Sequence, residues 1–407
     1  PAQILRKVIL TAKEDEASVL SGESLTANAL NAAFCNGANS HTLDFDDLHN
    51  PSIIHIATVV IPPAFAVAEK EHKSGKDVLT AVVAGYEVCA RVGEAVIPES
   101  YYFWHTTGTV GAIGAGTAAA KVLGLNAAQT LHCLGSAGTQ AAGLWEFVKE
   151  GAMSKPLHTG KSSYAGVLSA YLAREGFTGA TKILEGEKGF CRAMVKEPHL
   201  EKLTEGLGLG FKIDDNSFKP YPCCKHSHAS IYALQVLQKE NKFMTGDVAK
   251  VEVLVNSITD SLINNPDPQT AYGCKFSIQY CDASVLKYGN VGIEQFSAQA
   301  MADPETRALM QKISVHQDPE IQQVYDTDPS KLATKVIVTL KDGRKLEKEV
   351  DYPKGDPDCP MTWEDSVAKF TALAEPVYGK EKTAKLCALI DKLDEVEDFK
   401  TALRACL

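Results

Sequence analysis

The chain changes texture at Phe218, and that change limits its architecture more than any other feature. Before it, apolar and small residues recur at helical spacing, in Ser24 to His41 (Leu30, Ala33, Phe34, Gly37, His41), Ile61 to Ala68, Lys76 to Val96 and Gly108 to Leu123. After it come runs that alternate or concentrate β-branched residues, Lys250-Val-Glu-Val-Leu-Val255 and Lys335-Val-Ile-Val-Thr-Leu340. The second run passes through Asp342-Gly343 into Lys345-Leu-Glu-Lys-Glu-Val350, which predicts a hairpin. From Trp363 to Leu407 the helical pattern returns. A second, α+β domain therefore lies inside the chain, with edges at Lys219-Pro-Tyr-Pro222 and at the linker from Tyr352 to Pro360. Leaving a helical domain, building a sheet and returning would set both linkers at a cleft, a common ligand site.

Charge removes several function classes. With a net charge of -10, a pI near 5.6 and no dense basic stripe with interleaved aromatics, nucleic acid is not expected as a partner. The longest apolar stretches, such as Ala57 to Ala68, are too short to span a bilayer. No signal peptide opens the chain, and the 11 scattered cysteines read as reduced thiols of a cytoplasmic protein. The doublet Cys223-Cys224 lacks a second Cys/His pair at finger spacing and is not a zinc site. In Gly108 to Gly116 the order GxxGxG lacks both a preceding strand and a nucleotide-loop pattern, so it reads as helix packing beside a site.

Set against this acidity are His55, His105, His158, Lys155 and Lys219, placed among Gly, Ala, Ser and Thr. Cations gathered beside small residues in an acidic protein point to a pocket for a polyanionic small molecule, and so to an enzyme acting on carboxylates. Four stretches carry candidates. His41 to His55, with Asp44, Asp46 and Asp47, is a solvated acidic turn, a divalent-cation site or, the favoured reading, an acid/base site. Trp104-His105-Thr-Thr-Gly108 puts an imidazole at a helix start, where the dipole keeps it neutral, unless it only caps or packs. Met153-Ser-Lys155-Pro-Leu-His158-Thr-Gly160-Lys161 forms a loop able to hold carboxylates, although a lone lysine is more often solvated surface. Phe218-Lys219-Pro-Tyr-Pro222 stiffens a lysine between prolines.

In these stretches the chain resembles the MmgE/PrpD family. The resemblance runs from about Ser24 to Phe370, with LDFDD, HTTGTVGAIGAG, SKPLHTGK, GEKGF, FKPYPCC and FSIQYC in the family's order. It implies a mainly α protein: a large all-helical domain built from both ends of the chain, residues 1–218 and 356–407, and a smaller α+β lid domain, residues 219–355. It further implies a homodimer and no cofactor. Asp44, His55, His105, Lys155, Lys219 and Tyr280 match the family's active-site positions; His158 and Lys161 join Lys155 and Lys219 as substrate-binding candidates. Two departures stand out. Leu48 occupies a position where several members have Thr, and a further stretch of chain usual in the family between the positions of Lys7 and Val8 is missing here.

Removing a proton from carbon next to a carboxylate is hard because the resulting charge has nowhere to go. Lys155 and Lys219 would neutralise that carboxylate, an electrostatic effect that is large in a water-poor cleft. His55 or His105 would carry the proton, Asp44 would orient an imidazole, and Tyr280 or the second histidine would protonate a leaving hydroxyl. The expected function is a cofactor-independent lyase on a di- or tricarboxylate, with dehydration of a 2-methylcitrate-like hydroxy acid first. Cis-aconitate-type decarboxylation and iminodisuccinate-type epimerisation, which share the carbanion, are alternatives. From other classes come a metal-dependent hydrolase using Asp44, Asp46, Asp47 and His55, and a non-catalytic polycarboxylate-binding protein. The expected partner is a small-molecule polycarboxylate, with no metal, nucleic acid or membrane.

Overall fold

Two units divide the chain in the structure, a computed structural model that describes residues 1–10, 12, 14–328 and 331–407: Pro1–Ser217 with Thr362–Leu407, and Phe218–Met361. The fold is mainly α with a smaller α+β part.

After a short helix at Ala2–Ile9, the first unit has a hairpin of β1 (Ala17–Leu20) and β2 (Ser24–Ala27), paired antiparallel with Val19 opposite Leu25. This corrects the expectation of a helix starting at Ser24. The helix α1 (Ala29–His41) starts later because Asn28 caps it, its side chain accepting the Asn31 N–H at 2.9 Å. Next come α2 (Ala57–Lys70), α3 (Gly75–Glu94, opened by a Ser74/Asp77 capping box), α4 (Gly111–Leu123) and α5 (Lys155–Arg174). Helix α5 packs on α1 and α4, and α4 packs on α2 and α3. The glycines of GxxGxG serve this packing, as the sequence reading has it: a Cβ at Gly114 would sit 2.8 Å from Cβ of Cys89, and one at Gly166 of α5 would sit 2.5 Å from the backbone nitrogen of Gly116. The C-terminal segment belongs to the same core. Its long helix Trp363–Asp391 bends at Gly379, and Leu386, Leu389, Leu393, Phe399 and Leu403 are buried with the N-terminal helices, Phe399 lying 4.7 Å from Phe65 between ring centroids.

The second unit holds a four-stranded sheet of β3 (Val248–Val255), β4 (Ile313–Gln317), β5 (Thr334–Leu340) and β6 (Lys345–Val350), in the order β4-β3-β5-β6. β4 runs parallel to β3, while β5 is antiparallel to both β3 and β6. Along β5, Thr334, Val336, Val338 and Leu340 are buried in strict alternation, which fixes the register. Helix α6 (His228–Asn241) packs on the β5–β6 hairpin and on α7 (Ile278–Tyr288), burying Ile231, Leu234, Ile278 and Val285 with the sheet's inner face. No helix among the described residues is long and apolar enough to cross a membrane.

Candidate active site

Polar side chains collect in the first unit where α1 ends, α5 begins and the connection into α2 passes. His41 is the last residue of α1, and the chain then turns through Asp44, whose φ of 54° places it in the left-handed region. This turn presents the Asp44 carboxylate to Lys155, with Nζ 2.9 Å from Oδ1 and both side chains buried. The expected loop at Met153 to Lys161 is instead the first turns of α5. Pro156 sits at the start of that helix, where its fixed φ and missing N–H cost nothing. The Asp44 carboxylate is thus paired with the Lys155 ammonium.

Asp46 meets two imidazoles. Its Oδ2 lies 2.7 Å from Nδ1 of His41 and 3.3 Å from Nδ1 of His55. The sequence reading gave Asp46 only to the metal alternative and gave His41 no role; the i, i+5 spacing across the turn was the available signal. His55 Nδ1 also lies 2.7 Å from the carbonyl oxygen of Asp47, which can only accept, so Nδ1 carries the proton and Nε2 of neutral His55 is the basic nitrogen. Asp47 fixes this loop from both ends: its carbonyl takes His55, and its carboxylate takes the Ala57 N–H at 3.1 Å and the Tyr86 hydroxyl at 2.6 Å. Burial and the charge of Asp46 push the Asp47 carboxyl up to about 7. Ile53, left-handed at φ 51°, aims the chain toward His55, and its carbonyl accepts the Thr106 hydroxyl at 2.5 Å.

His105 caps the single helical turn Thr106–Thr109, and its Nδ1 lies 3.1 Å from Nδ1 of His158 on α5. One of these nitrogens donates and the other accepts, so the two rings hold opposite tautomers. Burial, then the Lys155 ammonium, holds the His105 imidazole well below its ordinary range. Burial and Lys161 lower His158 to about 4. Close approach requires glycine here, since a Cβ on Gly108 would sit 2.9 Å from the Ala142 carbonyl and 3.1 Å from Cβ of His158. Lys161 is anchored by carbonyls, with Nζ donating to Gln140 at 2.9 Å and to Gly108 and Ala142 at 3.3 Å. Its ammonium thus ties the start of α5 to the backbone of these neighbouring segments.

His41, His55 and His105 lie together, with ring centroids 4.6 Å apart for the first two and 5.8 Å for His41 stacked on His105. The buried Nε2 atoms of His41 and His105 have no hydrogen-bond partner among the described residues. His41, Asp44, Asp46 and His55 offer donor atoms within 4.8 Å of one another, and the Lys155 ammonium on Asp44 sets a positive charge against a divalent cation there. The arrangement suits proton transfer: neutral imidazoles, held by carboxyl and carbonyl oxygens, beside a buried lysine.

Lys219 and Tyr280 belong to the second unit. The buried Lys219 donates from Nζ to the Cys223 carbonyl at 3.2 Å. Tyr280 is fully buried near the start of α7, where burial raises its phenol and its hydroxyl donates to the Gln295 carbonyl. The proton expected to serve a leaving hydroxyl is thus held by the backbone.

The sequence model of the MmgE/PrpD N-terminal domain matches residues 1–203, and that of the MmgE/PrpD C-terminal domain matches residues 221–395. The chain is 28% identical over 379 residues to a cis-aconitate decarboxylase-like protein of Aspergillus oryzae, covering 87% of this chain and 77% of that protein. It is 28% identical over 390 residues to cis-aconitate decarboxylase of Mus musculus, covering 92% and 77%. A 2-methylcitrate dehydratase of Cupriavidus necator is 26% identical over 299 residues, 67% of this chain and 58% of that protein.

Proposed function

The chain belongs to the MmgE/PrpD family, and from that premise we propose that it is a lyase that releases CO2 from a cis-aconitate-like tricarboxylate by way of a carbanion beside a second carboxylate. The observation that carries this choice is the likeness to cis-aconitate decarboxylases along about nine-tenths of the chain, through both units. Loss of CO2 leaves an electron pair on carbon, and His55 or His105, having first taken a proton from solvent, supplies the proton that ends the reaction. Lys155 offsets carboxylate charge at the site. Lys219 and Tyr280 enter this reading on the family motifs alone, each to be tested by its own variant. Dehydration of a 2-methylcitrate-like hydroxy acid is the second reading, supported by the likeness to 2-methylcitrate dehydratases; there an imidazole removes the α-proton and hydroxide leaves. Leu48, buried where several family members carry Thr, favours a substrate without a hydroxyl at that point. The homodimer and the cytoplasmic location remain part of this proposal, with light scattering as the test of the former.

Incubation with cis-aconitate and with 2-methylcitrate, followed by proton NMR and CO2 trapping, separates the readings. CO2 released in step with cis-aconitate consumption supports the first. Water loss from 2-methylcitrate without CO2 selects the second, and inertness toward both overturns the proposal.

A further inference from the structure

We propose that His41 is a positioning residue of the reaction: its Nδ1–H, donated to Asp46, sets how much of that carboxylate's charge reaches His55. This rests on the reading of His55 as a proton-transfer group. A single oxygen, Asp46 Oδ2, faces both imidazoles, at 2.7 Å from His41 and 3.3 Å from His55, so the two N–H groups compete for it. A histidine that serves only the core has both nitrogens satisfied, whereas the buried Nε2 of His41 has no hydrogen-bond partner among the described residues. His41 lies 4.6 Å from the His55 ring and is stacked on His105, so it touches both proton-transfer candidates.

The electrostatics give the device its direction. Burial pushes the His41 imidazole down to about 4, so near neutral pH it is uncharged and its one ring proton lies toward the carboxylate. His41 then withdraws negative charge from Asp46 without adding a positive charge of its own. When His55 takes a proton at Nε2, its Nδ1–H gains acidity and draws on the same oxygen, forming a charge-assisted bond that shortens. The stronger the claim of His41 on Asp46, the weaker the support for the His55 imidazolium. The other ionisable groups around His55 are Asp47 on its own connection, Asp44 on the turn after α1, His105 ahead of the helical turn Thr106–Thr109, and Lys155 at the start of α5.

The limb of the kcat/KM pH profile that His55 sets reads its protonation in the free enzyme: the alkaline limb where it donates the proton of a decarboxylation, the acid limb where it is the base of a dehydration. His41→Phe, which keeps a ring and loses the donor, should move that limb upward by on the order of one pH unit, because Asp46 then serves His55 alone. Asp46→Asn should move it downward. His41→Gln, whose amide can still donate, should leave the limb closer to the parent than His41→Phe does. A limb unmoved in His41→Phe, or moved in the same direction as in Asp46→Asn, overturns the proposal. The wild-type protein gives a second reading that needs neither substrate nor a folded variant. In nitrogen-15 NMR of histidine-labelled protein, His41 should be the Nδ1–H tautomer and stay neutral well below the ordinary 6.5. An Nε2–H tautomer, or protonation near 6.5, overturns the proposal even if turnover is found; the right tautomer without turnover of any polycarboxylate would count against the proposed function alone.

Discussion

At the scale of single residues, two kinds of position must be told apart: those whose loss removes a proton carrier and those whose loss leaves a charge stranded. His55 and His105 are of the first kind. His55→Gln or His105→Gln should lower turnover by about 10²-fold or more with an unchanged melting temperature, since a positioned acid or base contributes about 10²- to 10⁴-fold. Parallel loss of stability and turnover would mark them as packing residues. Asp44 and Lys155 are of the second kind. Lys155→Met leaves the Asp44 carboxylate buried without its ammonium and should cost about 3–5 kcal/mol in urea unfolding. Adding Asp44→Leu should recover most of that stability and none of the activity; failure to recover would show that the pair is not the source of the cost. His55, His105 and Lys155 were legible from the sequence because each stands in a motif of unusual residue types. Asp46 as the imidazole partner was not, because Asp44, Asp46 and Asp47 differ only in where a left-handed turn aims them. Tyr280 and Lys161 were likewise singled out without geometry, and both donate to backbone carbonyls in the structure.

Among the secondary-structure elements, the site depends on how closely α5 lies against α4. A Cβ at Gly166 would meet the backbone of Ala115 and Gly116 at 2.5 Å. Gly166→Ala gains about 1 kcal/mol of helix propensity. It should nevertheless destabilise the protein by about 1–3 kcal/mol in urea titrations, because the overpacked backbone cannot yield. A neutral or stabilising result would show that the two helices can part without loss. Helical spacing and the alanine-rich faces made these helices legible from sequence, the β-branched runs did the same for β3 and β5, and the Asp342-Gly343 turn did so for β6. The β1–β2 hairpin was missed because Leu25 and Ala27 fit a helical stripe as well as a strand, and only the Asn28 cap separates the two elements. The start of α5 was missed because Pro156, taken as a sign of a loop, also suits the first turn of a helix.

For the whole molecule, buried ionisable groups set how stability follows pH. Burial holds His41, His158 and His226 near 4, His49 near 3 and His105 well below its ordinary value. Below about 6.5 the unfolded chain binds protons at these five sites that the folded protein does not, so stability falls as pH drops through that window toward 4. Asp47, raised to about 7, and Asp282, raised to about 8, act in the opposite sense, since the folded protein keeps protons there that the unfolded chain loses above about 4. The histidines outnumber the two carboxyls, so the melting temperature should rise from pH 4.5 to about 6.5 and then level or fall toward pH 8. A melting temperature that falls between pH 4.5 and 6.5 would contradict the neutral-imidazole site. Sequence texture showed that the chain departs from a helical region and returns to it, since hydrophobic periodicity survives without knowledge of contacts. The linker after Tyr352 carries Pro and Gly but no change of periodicity, so texture brackets the return without fixing its residue; the second unit runs to Met361. The central claim, a carbanion next to a carboxylate handled by the protein's own imidazoles, is tested most directly by turnover of cis-aconitate in deuterated water after treatment with a strong chelator. Undiminished turnover, with one solvent deuterium on the carbon that lost or adjoined the carboxylate, is the predicted result. Turnover abolished by the chelator, or a product free of deuterium, would contradict it.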